Sequence, residues 1–166
     1  MVGTISLLPQ ICDAIAAPVI ASGGIMDGRG IAAALALGAS AVQLGTTFLA
    51  FHEAGVAEAY KEALVSTRED QTRLTRAFSG RPARGITNRF LTGMASMEET
   101  VLPFPLQNGL TRPLRAEAAR RNRAEYLSLR AGQGLRLARR TSAAELVARL
   151  RTETETAVAA LCSLRT

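Results

Sequence analysis

Ala21-Ser22-Gly23-Gly24-Ile25-Met26-Asp27-Gly28-Arg29-Gly30 and Gln43-Leu44-Gly45-Thr46-Thr47-Phe48 are the two segments on which the reading of this chain turns. Each follows a short apolar run, residues 18–21 and 41–44, that reads as a buried strand of a parallel sheet. Gly24 and Gly45 stand 21 positions apart, which leaves room for one helix between the strands. Strand, helix, strand predicts parallel pairing with a right-handed crossover. Both glycine loops then leave the same edge of the sheet. Glycine lets backbone N–H groups approach an anion closely, and a helix N-terminus adds free N–H groups and a favourable dipole. Ser22, Gly23 and Gly24 therefore predict one half of a phosphate cradle, and Gln43, Leu44, Gly45 and Thr46 the other.

Outward from these loops, residues 7–16 read as a helix with Leu8, Ile11, Cys12 and Ile15 on one apolar face. Asp27 and Gly38 bracket a helix over 28–37 as N-cap and C-cap. Residues 53–66 read as a further helix with Glu53 in its first turn. The pattern changes after residue 67. Residues 79–85, Ser-Gly-Arg-Pro-Ala-Arg-Gly, read as a loop. A helix is expected over 88–97, an extended connector over 102–106 because each proline disfavours helix at the preceding residue, and a helix over 115–128. Gly132 and Gly134 interrupt the chain again. Ser142 and Glu145 have the spacing of a capping box and open a helix carrying Leu146, Val147 and Leu150, which 151–166 extends or frays.

The 166 residues are 48% hydrophobic but only 4% aromatic, with no Trp, so the core must be built from Ala, Leu, Val and Ile. A complete (β/α)8 barrel takes about 250 residues, more than the chain offers. The net charge of +6 comes almost entirely from arginine, since Lys61 is the only lysine. Those arginines are spread among Glu and Asp with no dense block, which argues for a solvated surface and against a nucleic-acid partner. Cys12 and Cys162 lie at opposite ends with no Cys/His cluster, so no metal site is expected. No apolar run is long enough to span a bilayer, and no secretory leader is evident. A cytoplasmic, reducing setting without a membrane partner is the expectation; the oligomeric state is not readable.

The run Pro18-Val19-Ile20-Ala21-Ser22-Gly23-Gly24-Ile25 with Asp27-Gly28-Arg29-Gly30, followed by Val42-Gln43-Leu44-Gly45-Thr46, resembles the nitronate monooxygenase (2-nitropropane dioxygenase) family. The resemblance continues through Ser79-Gly80-Arg81-Pro82-Ala83-Arg84-Gly85, Asn88-Arg89-Phe90, Pro105-Leu106-Gln107 and Ala131-Gly132-Gln133-Gly134, covering roughly residues 2–150. It implies an α/β fold, the C-terminal part of a (β/α)8 TIM barrel from helix six onward, with a mainly helical cap. It divides the chain into the last βα units at 1–66, a cap or lid at 67–110, and helices returning to the barrel at 111–166. It implies FMN as cofactor, with Gly24 and the Gln43–Thr46 loop on the flavin phosphate. Alkyl nitronates or nitroalkanes and dioxygen would be the small-molecule partners.

In that family a Gly-Gly-His segment, whose histidine is the catalytic base, lies just before the stretch matching Val2-Gly3-Thr4. No catalytic residue is therefore assigned in this chain. His52, the only histidine, reads as a surface or helix-end residue, and Cys12 reads as core. Two further readings stand beside this one. Flavin-dependent enoyl-acyl-carrier-protein reductases resemble the same loops. A catalytically inactive fragment that binds FMN weakly is the other.

Overall fold

The computed structural model describes residues 2–163. Its first layer contains α1 (Thr4–Ala14), β1 (Ile20–Ser22), α2 (Gly28–Ala36), β2 (Ala41–Gln43) and a single turn, α3 (Thr46–Leu49). β1 and β2 pair in parallel with Ile20 opposite Ala41, Ala21 opposite Val42 and Ser22 opposite Gln43. This is the expected strand–helix–strand unit, though β1 starts at Ile20, two residues later than the sequence pattern placed it. Successive strand residues face opposite sides. Ala21 and Val42 pack with Leu8, Ile25, Ala34 and Ala39 against α1 and α2. Ile20, on the other side, remains 63% exposed.

Asp27 caps α2 as expected. Its carboxylate accepts the N–H groups of Arg29 at 3.1 Å and Gly30 at 3.2 Å and pairs with the Arg29 guanidinium. Burial pushes this carboxyl up, but the Arg29 and Gly30 hydrogen bonds and the Arg29 charge outweigh it, so its pKa lies below the ordinary value. Gly38 follows the last turn at φ +98°, a left-handed position that suits glycine, and sits against Cys12. Cys12 is partly buried in this core. Of the apolar face expected for the first helix only Leu8 is fully buried. Ile11 and Ile15 stay 39% and 49% exposed.

The second half contains α4 (Glu58–Ser66), a hairpin of β3 (Thr72–Thr75) and β4 (Ala83–Ile86), α5 (Arg89–Met94), α6 (Leu106–Arg120) and α7 (Ala143–Cys162). Several expectations are corrected here. The helix expected from Glu53 begins at Glu58, because the chain loops through Gly55. The Glu53 carboxylate instead accepts the Ala143 N–H at 3.1 Å, in the first turn of α7. Part of the expected 79–85 loop is strand: β4 pairs antiparallel with β3, a hairpin the polar sequence Thr72-Arg73-Leu74-Thr75 did not signal. α5 stops at Met94 and continues only as 3₁₀ turns to Thr100, with Met97 off the helical region. The expected helix over 115–128 is α6, which starts nine residues earlier and carries Pro113 inside it. It ends when Asn122 turns to φ 52°.

α4, β4, α6 and the segment 124–138 share one core around Leu64, Ile86, Ala118, Leu129 and Leu135, which reaches back to Met26 and Ala50. α7 returns to the first layer and packs along α2. Its start is the expected capping box: Glu145 N–H donates to the Ser142 hydroxyl, and the Glu145 carboxylate accepts the Thr141 hydroxyl at 2.6 Å and the Ser142 N–H at 3.0 Å. These donors hold the Glu145 carboxyl down at about 2, the Thr141 bond contributing most. A carboxyl lowered on folding contributes stability that is complete above its unfolded value and lost as pH falls through the folded one. Glu145→Gln is therefore expected to flatten the loss of stability between about pH 5 and about pH 2, read by circular-dichroism melts. Residues 164–166 of the expected C-terminal extension lie outside the described residues.

Candidate active site

The ladder register sets Ser22 beside Gln43, so the two glycine loops emerge side by side. Gly23 and Gly24 both adopt left-handed backbone, φ +119° and +75°, which turns the chain sharply at the end of β1. The Thr4 hydroxyl donates to the Gly23 carbonyl at 2.8 Å and pins that turn to the start of α1. A Cβ added at Gly24 or Gly45 would meet no heavy atom within 4 Å. Both glycines thus present bare backbone to open space. Thr47, fully buried, anchors the second loop through its hydroxyl, which donates to the Met26 carbonyl at 3.2 Å. Among the described residues no hydrogen bond engages the Ser22 hydroxyl or the Gln43 side-chain amide, and both residues are exposed.

A third loop completes the site. The Gly132 N–H donates to the Thr46 hydroxyl at 3.0 Å, which leaves that hydroxyl free to donate outward. A Cβ at Gly134 would lie 2.6 Å from Met26 Cγ and 3.4 Å from the Gly24 carbonyl oxygen. The Ala131–Gly134 segment therefore needs its glycines to lie this close to the first loop. The family resemblance reached Ala131-Gly132-Gln133-Gly134 without placing Gly132 or Gly134 beside the first loop. The alternating Gly-Gln-Gly was the available signal; what it packs against, more than a hundred residues away, was not. Gly23, Gly24, Gly132, Gln133 and Arg84 line one cavity of about 510 Å³ that extends toward Val2, Gly3 and Thr4. Arg84 also lines the cavity, and its guanidinium donates to the Thr72 carbonyl at 3.3 Å and hydroxyl at 3.2 Å.

One expectation about the anion's partners changes. The N-terminus of α2 is not available to a ligand, because Asp27 takes the Arg29 and Gly30 N–H groups and Glu153 of α7 takes the Gly28 N–H at 3.2 Å. The first turn after Gly45 has no side-chain cap. Free donors are therefore concentrated at the second loop. His52 is exposed, and its backbone is engaged: its N–H donates to the Thr141 carbonyl and its carbonyl accepts from the buried Lys61 ammonium. Among the described residues no group of His, Cys, Asp and Glu could hold a metal, and no helix is long and apolar enough to cross a membrane.

The cavity lined by Gly23 and Gly24 opens at the carboxyl end of β1 in an α/β protein, the end at which open α/β sheets bind their ligands. The nitronate monooxygenase profile matches residues 1–153, and the chain belongs to that family of oxidoreductases. A probable nitronate monooxygenase of Staphylococcus saprophyticus is 44% identical over 147 residues, 89% of this chain and 41% of the relative. One of Staphylococcus aureus is 47% identical over 138 residues, 83% of this chain and 39% of the relative. The nitroalkane oxidase of Streptomyces ansochromogenes superposes with a TM-score of 0.90 at 47% identity, over 96% of this chain and 46% of that structure. FabK from Thermotoga maritima superposes with a TM-score of 0.85 at 33% identity, over 99% of this chain and 52% of that structure. The chain thus spans about two fifths of the curated relatives' length and about half that of the solved structures.

Proposed function

We propose that this chain supplies the FMN-phosphate end of an oxidoreductase that converts alkyl nitronates with dioxygen. The carrying observation is the convergence of Gly24, Thr46 and Gly132 on one open site beside Arg84. The residues fit a phosphate monoester. Gly24 and Gly45 offer backbone no side chain obstructs, the Thr46 hydroxyl has a proton to donate, and Arg84 opposes the dianion's charge. Ser22, Gly23, Gln43 and Leu44 complete the cradle. FMN, when bound, carries the electron chemistry, while the protein binds and orients it. The cradle belongs to the closing strands of a (β/α)8 barrel, where phosphate sites are frequently found. The exposed far face of β1 and β2 is consistent with further strands packing there. Removal of the proton α to the nitro group is assigned to none of the chain's own side chains. In the family that base sits in the Gly-Gly-His segment outside the matched stretch.

The test compares FMN with riboflavin, which lacks the phosphate. FMN is expected to bind the chain at least about tenfold more tightly, read by quenching of flavin fluorescence, since each charge-assisted hydrogen bond contributes about 1.5–3 kcal/mol. Equal affinity for both would remove the cradle assignment. The chain joined to the N-terminal half of a family member is then expected to consume oxygen with propionate 3-nitronate. The likeness to FabK and the shared phosphate loops sustain a second reading, a flavin-dependent enoyl reductase. Oxidation of reduced nicotinamide by the joined protein with an enoyl thioester, and no oxygen uptake with nitronate, would favour that reading instead.

A further inference from the structure

Most arginines of this chain are paired with carboxylates. Seven described arginines are not, Arg112, Arg115 and Arg130 among them. Arg112 and Arg115 lie one turn apart on α6, and protonation of Arg115 is disfavoured first by its burial and then by the charges of Arg130 and Arg112. Arg115 donates to the Asn108 side chain at 2.8 Å and the Asn108 carbonyl at 3.0 Å, yet its Nε is fully buried without a partner. Arg130 reaches only the Ser79 hydroxyl, at 3.3 Å. Among the described residues no carboxylate pairs with any of the three. The neighbouring acids are taken: Glu117 by Arg120 and Arg121, Glu125 by Arg123, and Glu58 by Arg140.

Like charges this close repel one another unless an anion opposes them. Arg112 and Arg115 face a pocket of about 320 Å³ between α6 and the segment that runs from Gly55 into α4. Its other walls are apolar or neutral: Val56, Ala57, Ala116 and Leu127, with Tyr60 at the side. The Tyr60 hydroxyl is spent on the Arg130 carbonyl at 2.6 Å, and burial holds it protonated, its pKa pushed up to about 12. The pocket thus has two arginines in its wall, an otherwise apolar or neutral lining, and no acid.

We infer that this pocket binds a small oxyanion with a short apolar tail, a carboxylate or a phosphate monoester, held by Arg112 and Arg115. It is a different site from the flavin cradle, built from different elements, and does not depend on the flavin reading.

Calorimetric titration of the 166-residue chain with inorganic phosphate, n-butyl phosphate and butyrate tests it. Arg112→Gln is the decisive variant, because Arg112 is exposed and makes no hydrogen bond among the described residues, so the fold does not depend on it. It is expected to weaken anion binding at least about tenfold, and rising ionic strength to weaken the wild type further. Without anion its melting temperature should be equal or higher, since a like charge has been removed. Gly45→Val, which obstructs the flavin cradle, should leave this binding in place and so separates the two anion sites. Tighter butyl phosphate assigns the ester and tighter butyrate the carboxylate; either supports the site. No binding in the Gly45→Val protein, or binding that Arg112→Gln leaves unchanged, overturns it.

Discussion

Valine at Gly45 is expected to abolish retention of FMN while the protein stays folded. Gly45 sits at φ −107°, a backbone any residue adopts, and a Cβ there meets no heavy atom within 4 Å. The isopropyl group therefore projects into the space assigned to the phosphate. Losing two charge-assisted hydrogen bonds at about 1.5–3 kcal/mol each corresponds to about 100-fold weaker binding or more. The residual affinity for riboflavin should not change, because the substitution removes nothing that touches a phosphate-free flavin. Gly24→Val would be a poorer probe. Gly24 lies at φ +75°, where a β-branched residue is strained, so a lost flavin could not be separated from a damaged turn. Flavin fluorescence with a circular-dichroism melt decides the matter. Unchanged FMN affinity in folded Gly45→Val protein would take the phosphate away from the second loop.

Alanine at Gly28 is expected to be among the most destabilising single-methyl changes available. A Cβ there would lie 2.3 Å from the Thr154 backbone nitrogen and 2.4 Å from the Glu153 carbonyl carbon. No side-chain rotation relieves a clash with backbone, so α7 must move away from α2. That movement also breaks the bond from the Gly28 N–H to the Glu153 carboxylate. Overpacking of this kind costs about 1–3 kcal/mol or more, and for a chain of this size about 3 kcal/mol corresponds to a melting-temperature loss of roughly 6–12 °C. Gly30→Ala is the control. Its Cβ would lie 3.3 Å from Ile25 Cγ2, a side-chain contact that can adjust, and a fall of at most a few degrees is expected. Equal melting temperatures for the two variants would mean that the α2–α7 crossing is not tight.

The two cases differ in how far they could be foreseen. Gly45 follows a short apolar strand and precedes Thr46, a local pattern with a local meaning. Gly28 follows the capping residue Asp27 and reads as an ordinary first-turn glycine. Its need for a missing side chain comes from α7, 125 residues away. Glu53 is a similar case: the residue type suited a helix N-terminus, but the helix it serves is α7 rather than its own. The hairpin of β3 and β4 was hidden for another reason. Its strands are four residues each and largely polar, and their edge is supported by Gly85 lying 2.8 Å, as a would-be Cβ, from the Leu129 carbonyl. Pro113 concealed the first half of α6, because interior prolines are usually excluded from helices, whereas here packing of Gln107, Thr111 and Ala118 holds the helix together.

Local chemistry by itself determined the parallel strand–helix–strand unit, the Asp27 and Ser142 caps, the two glycine loops and the family to which they belong. Each of these depends on residues within a few positions of one another, where spacing and side-chain type carry the physics. Tertiary structure alone decided that the N–H groups at the N-terminus of α2 are taken, that Gly132 bonds Thr46 and Arg84 lines the cavity beside Gly23 and Gly24, and that Arg112, Arg115 and Arg130 have no carboxylate partner among the described residues. Those features arise from contacts between residues far apart in the chain, set by how α6, α7 and the 124–138 segment fold back, and no periodicity in the sequence encodes such distances.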